Sequence, residues 1–271
     1  MITLFTPVHG RYDVASRTLA ALDKVVPASF VHLIGDDFSP QPDAELYAAS
    51  AGPIIRDGQE IGQRVVYHCR ELGAEDSPNM GLSLGHAFEV ARENGSEALL
   101  VVESDVIPRP GIVEAFREAH ELHGERTGAV APLYTEVGGN TIASFGGMSG
   151  GEEAERNFLG LKLGMEIGSW DQRQPRLDVL WWAHLACLWL PRSTLLLDTV
   201  SPDPDFALYY CDHDLSHQIR EHAGLDLVIT DRAVAEHSRE AASTGVRWPD
   251  EDARHAVEAA AYSTLRQKWH F

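Results

Sequence analysis

The chain has 271 residues, with 44% hydrophobic and 23% charged residues and a formal net charge of −19. These values suit a globular protein with a sizeable core, in one large or two small domains. They argue against a nucleic-acid backbone as the main partner and against an electrostatic grip on anionic membranes, since both require clustered Lys and Arg.

Ile2–Thr6 reads as a short buried strand, followed by a helix from Asp13 with Ala15, Leu19 and Leu22 inward. Phe30–Gly35 is a second strand, ending at Asp36-Asp37, and Val65–His68 a weaker third. Gly81–Asn94 reads as a helix with Leu84, Phe88 and Ala91 on one face. Ala98–Val102 is a continuous apolar strand that ends at Glu103-Ser104-Asp105. Pro110 opens another helix, with Val113, Phe116 and Ala119 inward and Gly124 past its end. Gly128–Tyr134 is a further strand. The βαβα order predicts an α/β fold, a mostly parallel central sheet with helices on both faces.

The middle changes character. Gly138–Gly151 is rich in glycine and reads as a loop, either a lid or binding loop or a plain surface insertion. Leu185–Leu190 is an apolar strand preceded by Trp181-Trp182, Asp212–Ala223 a helix closed by Gly224, and Leu227–Thr230 a last strand. Pro249–Trp269 reads as an amphipathic helix with Ala253, Val257, Ala260 and Leu265 on one side, packing on its own domain. The cysteines Cys69, Cys187 and Cys211 are odd in number and lack CxxC spacing. A disulfide framework or structural zinc site is therefore not expected, and a reducing, cytoplasmic setting is. No signal peptide is expected, and the longest apolar run, Val179 to Pro191, is too short to span a bilayer.

In parallel α/β sheets, ligands sit beyond the carboxyl ends of the strands. Thr6-Pro7-Val8-His9, Asp36-Asp37 and Glu103-Ser104-Asp105 all fall there. Each alone reads as an acidic or polar loop; their joint placement points to a site. Glu103 and Asp105, two residues apart, suit a hard divalent ion shared with a diphosphate.

The succession Thr6-Pro7, Asp36-Asp37-Phe38-Ser39, Asn79-Met80-Gly81, Glu103 to Gly111, Cys211 to Ser216 and His237 resembles the GT-A fold glycosyltransferases of family two, closest to a bacterial rhamnosyltransferase-like branch. The resemblance runs from about Met1 to His237. It implies one GT-A domain with a nucleotide-sugar-binding part at 1–134, an acceptor-binding and catalytic part at 135–240, and a C-terminal helix at 249–271. By the same resemblance, Thr6, Pro7, Asp36 and Asp37 hold the base and ribose, and Asn79 and Gly81 belong to the segment before the helix under the donor. Asp105 and His237 hold Mn²⁺ or Mg²⁺, and Asp212 is the catalytic base. Glu103 stands in place of the usual first Asp and serves the ribose or a metal-bound water. Cys211 stands where Glu is common. Trp181, Trp182 and His184 face the acceptor.

Taken by themselves, these residues keep plainer alternatives. Asp212 opens a helix and also suits an N-cap. Asp214 suits a structural role or an orienter. His237 suits a surface site, Trp181-Trp182 the core, and Arg11 and Arg109 either a diphosphate contact or the surface. The implied reaction is sugar transfer from a UDP-, dTDP- or GDP-sugar to a hydroxyl of a glycan, lipid-linked, protein or small-molecule acceptor, with inversion as the first reading and retention on the same fold left open. Three other readings compete. A metal-dependent hydrolase would use His213 and His217, four apart on a helix. A sugar nucleotidyltransferase would need a basic, Gly-rich loop that Thr6–Arg11 lacks. A non-catalytic nucleotide-sugar binding protein would accommodate the Glu103 and Cys211 departures.

Overall fold

The computed structural model describes residues 1–27, 29–73, 78–145, 160–171, 174–238 and 251–270. The first half runs β1 (Ile2–Val8), α1 (Tyr12–Val25), β2 (Phe30–Asp36), α2 (Gln41–Ala49), β3 (Gly52–Arg56), β4 (Gln59–His68), α3 (Met80–Glu93), β5 (Ala98–Val102), β6 (Val106–Pro108), α4 (Ile112–His123) and β7 (Thr127–Thr135). The second runs β8 (Ile142–Ser144), β9 (Leu177–Leu180), β10 (Cys187–Pro191), α5 (Arg192–Leu195), α6 (Cys211–His217), β11 (Asp226–His237) and α7 (Glu251–Trp269).

All eleven strands join one sheet, in the order β3-β4-β2-β1-β5-β10-β7-β11-β6, with β8 beside β7 and β9 beside β11. The run β4-β2-β1-β5 is parallel, as is the pair β7–β11. Strand β10 enters antiparallel between β5 and β7, so the later part of the chain completes the sheet begun by the first. Strands β5 and β7 are buried at every position, as central strands covered on both faces require. Helix α1 buries Ala15, Leu19 and Leu22, α3 buries Leu84, Phe88 and Ala91, and α4 buries Val113, Phe116 and Ala119. These are the stripes that helical periodicity selects in the sequence.

Several elements depart from the sequence reading. Helix α4 begins after Gly111, whose φ of 85° places its turn in the left-handed region, rather than at Pro110. Strand β11 runs on to His237, past a register shift between Ile229 and Val234, instead of stopping near Thr230. Strands β3, β6 and β9 and helix α2 were not anticipated. Strand β8 lies inside the expected glycine-rich loop, of which residues 146–151 fall outside the described residues. In α7 only Leu265 is buried, and Val257 and Ala260 are exposed. Positions 249–250 of that expected helix are likewise outside the described residues.

The start of α3 fixes a loop that the site depends on. Asn79 caps the helix by accepting from Leu82 N at 2.9 Å, and its Nδ2 donates to Pro204 O at 3.0 Å. Met80 N donates to Ala207 O at 2.5 Å. The loop can approach this closely because residue 81 is glycine: a Cβ there would lie 2.2 Å from Asp203 O. Gly81→Ala must therefore push backbone against backbone. We predict a loss of about 1–3 kcal/mol in chemical denaturation, the usual scale of overpacking.

Candidate active site

Strand β5 ends at Val102, and Glu103 N donates to Ala186 O of the neighbouring segment at 2.9 Å. A turn closed by Val106 N to Glu103 O, 3.1 Å, then carries Asp105 and leads into β6. Three-residue β6 pairs antiparallel with the end of β11, with Val106 opposite His237, and Ser238 N donates to Asp105 O at 3.1 Å. The long β11 thus delivers His237 to Asp105, with Nε2 3.7 Å from Oδ1. Glu103, Asp105 and His237 each offer a ligand atom, all within 4.8 Å of one another.

These three side chains line a cleft of about 290 Å³ beyond the carboxyl ends of β1, β2 and β5. Burial first, then the charge of Asp105, pushes the Glu103 carboxyl above its ordinary range, against the opposing pull of His237. Asp105, 8% exposed, is raised by burial, with His237 opposing. Two carboxyls that resist ionisation for these reasons are relieved by a cation placed between them. Two carboxylate oxygens and one imidazole nitrogen form a donor set that Mn²⁺ accepts readily and Mg²⁺ tolerates. The residues therefore fit a divalent ion.

One wall of the cleft comes from β1 and β2. Pro7, Val8, His9 and Asp37 line it. Asp37 N donates to Val8 O at 2.8 Å, its Oδ1 accepts from Asn79 N at 2.8 Å, and its carbonyl accepts from His9 Nδ1 at 2.5 Å. Thr6 does not reach the cleft; it is fully buried, with its hydroxyl 2.9 Å from His32 Nε2. Asp36 points to the other side, where it accepts from Ser39 N at 2.9 Å and meets His68 Nδ1 at 3.0 Å. Asn79 and Gly81 lie behind Asp37 and hold the 203–207 loop rather than lining the cleft.

The opposite wall is Leu208, Tyr209, Tyr210, Cys211 and Asp212, with His184 and Leu185. Tyr210 has φ 65°, a left-handed conformation, and α6 begins at the next residue. Asp212 is therefore in the first turn and is not the cap. Its Oδ1 accepts from His213 N and is 2.9 Å from His213 Nδ1. The His213 ring stacks on Trp182, with centroids 4.0 Å apart at 22°, and meets the Tyr210 ring edge-on at 5.2 Å. Burial acts to raise the Asp212 carboxyl, but the His213 hydrogen bonds and charge, together with the charge of His184, pull the other way, and the net shift is downward.

Of the expected acceptor side chains, His184 lines the cleft and Trp182 braces His213. Trp181 stands outside the cleft, 59% exposed, with Arg220 4.7 Å above its ring. Arg109 is tied to Glu236 at 3.1 Å, and Arg11 to Asp13 at 3.2 Å. Among the described residues, Glu103, Asp105 and His237 form the group of three whose ligand atoms all lie within 4.8 Å of one another, and neither His213 nor His217 belongs to it. His9, the end of the Thr6–His9 segment marked in the sequence, lines the cleft; Tyr209 and Tyr210 line it too and carry no sequence signal of their own.

No protein-family model matches the chain, and no curated protein matches its sequence. Solved structures do. GalNAc-T7 with UDP, GalNAc and Mn²⁺ superposes with a TM-score of 0.57 at 12% identity, over 88% of this chain and 44% of that one. The fold is GT-A. A mycobacterial protein matches with a TM-score of 0.57 at 17% identity over 98% of this chain and 74% of that one. Residues 1–349 of S. aureus TarS give 0.49 at 12% identity, over 88% and 58%. The chain thus spans less than half of the GalNAc-T7 chain and shares its GT-A architecture.

If the acidic cluster is the ion site of this GT-A fold, Mn²⁺ will raise the melting temperature of the wild-type protein. Asp105→Ala and His237→Ala will each lose most of that increase, measured by differential scanning calorimetry with and without the ion. Retention of the full increase in both variants would place the ion elsewhere.

Proposed function

We propose that this chain is a glycosyltransferase that moves a sugar from a nucleoside diphosphate sugar to an acceptor hydroxyl with inversion. The observation that carries the reading is the joint placement, in one cleft of a GT-A fold, of the Glu103–Asp105–His237 cluster and an Asp212 braced by His213 on the facing wall. A divalent ion bound there supplies positive charge against the charge that develops on a departing diphosphate. Asp105 and His237 would hold it, with Glu103 beside them. The β1–β2 wall, with Pro7, His9 and Asp37, takes the nucleoside side of the donor, and the wall of His184, Tyr209 and Tyr210 takes the acceptor. On this reading residues 1–134 carry most of the donor site and 135–240 most of the acceptor site.

Asp212 acts as the base. Both bonds from His213 fall on Oδ1, so Oδ2 is the oxygen assigned to the acceptor hydroxyl. It takes the hydroxyl proton as the acceptor oxygen bonds to the anomeric carbon. The bond from that carbon to the phosphate oxygen breaks, and its electron pair leaves with the diphosphate. The His213 ring, fixed between Trp182 and Tyr210, sets the carboxylate's orientation. The same hydrogen bond keeps Asp212 ionised, which a base requires, and moderates its basicity. UDP is the first nucleotide to test, since the GalNAc-T7 neighbour carries it together with Mn²⁺.

Asp212→Asn should lower kcat by about 10²–10⁴-fold, the usual worth of a general base, with nucleotide affinity nearly unchanged. Wild-type turnover in this variant would remove Asp212 from the reaction. His213→Phe keeps a ring against Trp182 and the backbone N–H to Asp212 but removes the ring donor. Losing that stabilisation of the carboxylate raises the pKa of Asp212, so the acid limb of the kcat/KM profile should move to higher pH. An unmoved acid limb would mean that His213 does not set the ionisation of the base.

A further inference from the structure

Two residues beyond Asp212 lies Asp214, a carboxylate only 1% exposed. A buried charge needs partners, and apart from Gln218 these come from far along the chain. Trp269 Nε1 donates to its Oδ1 at 2.8 Å. Lys268 Nζ lies 2.8 Å from Oδ1 and 3.0 Å from Oδ2, and Gln218 Nε2 donates to Oδ2 at 2.7 Å. Lys268 also reaches Asp203 Oδ2 at 2.6 Å, in the loop that packs on Gly81. The Trp269 ring stacks on His217, with centroids 4.9 Å apart at 26°, and lies 4.8 Å from His222. One turn of α7 therefore grips the chain on both sides of the Tyr210–Asp212 turn.

That turn needs support. A left-handed non-glycine residue such as Tyr210 is strained and persists where the surroundings over-determine it. Tyr262 of α7 contributes directly, its ring 5.6 Å from that of Tyr210. Leu265 is the one buried side chain of α7, so the helix adds little to the apolar core. Its polar and aromatic contacts are concentrated on α6 and the loop before it. We propose that the last turn of α7 is a positioning device for the active site, in which Lys268 and Trp269 fix α6 through Asp214 and hold Asp212 toward the cleft. The effect on catalysis rests on the role given to Asp212 above; the mechanical coupling of α7 to α6 does not.

Two variants of the full chain test this. Trp269→Phe retains a ring against His217 and His222 but loses the N–H to Asp214, and Lys268→Met retains the stem but loses the charge. Amide hydrogen exchange is followed by mass spectrometry, alongside steady-state transfer kinetics. In both variants exchange across 208–217 should rise about 10-fold, while β1 and β5 stay unchanged, as expected for local rather than global opening. Where wild type transfers sugar, kcat should fall about 10-fold with the donor KM within about two-fold, since misplacing a reacting group costs rate rather than donor binding. Lys268→Arg, which keeps the charge, should recover most of both. Unchanged exchange at 208–217 in both variants overturns the proposal, as does a rise spread evenly over the chain with rates falling only in step with melting temperature. A local rise at 208–217 in a protein that transfers no sugar supports the coupling and counts against the glycosyltransferase reading instead.

Discussion

Two carboxylates two residues apart, held at the end of a fully buried strand, repel each other in a partly closed cleft, and the arrangement of the site follows from that repulsion. Like charges about 4 Å apart cost roughly 4 kcal/mol where the effective dielectric is near 20. Strand β5 cannot relieve the strain by moving, because β1 and β10 pair with it on either side. Relief comes from outside the strand. The pairing of β6 with the end of β11 brings His237 to Asp105. A divalent ion fits the remaining need for positive charge, in a chain whose net charge is −19.

Asp212, across the cleft, faces the opposite demand. As the proposed base it must stay ionised near the acidic cluster, where Glu103 feels its charge. His213, through hydrogen bonds and charge, and His184, through charge, together offset the cost of burial. The two walls therefore treat their carboxyls differently. On one wall burial pushes the carboxyls of Glu103 and Asp105 up; on the other, neighbouring histidines pull Asp212 down. That separation of environments is how one cleft assigns distinct tasks to chemically similar groups.

Much of this was legible in the sequence where local pattern and local chemistry agree. The apolar run Ala98–Val102 followed by Glu103-Ser104-Asp105 marks a buried strand with its site at the carboxyl end, and the stripes of α1, α3 and α4 follow from helical spacing. Strand β11 was harder to delimit. Asp231 and Arg232 interrupt its apolar run; yet Asp231 is buried because Trp170 Nε1 and Arg176 N donate to it, partners that lie 55 residues or more away in sequence. Helix α2 buries only Tyr47 and so has no apolar stripe to read. Three-residue β6 is too short for any periodicity. Thr6, Asn79 and Gly81 share a motif with cleft residues, but they serve the scaffold beneath it, Gly81 by having no side chain. Asp214 depends on Lys268 and Trp269, and no spacing rule links them.

The central claim is that this cleft binds a nucleoside diphosphate through a divalent ion. Calorimetric titration of UDP, dTDP and GDP, each with and without Mn²⁺, tests it most directly. The account predicts that one nucleotide binds tightly, that binding requires the ion, and that Asp105→Ala abolishes it. Failure of all three nucleotides to bind folded protein in the presence of Mn²⁺ would contradict the account.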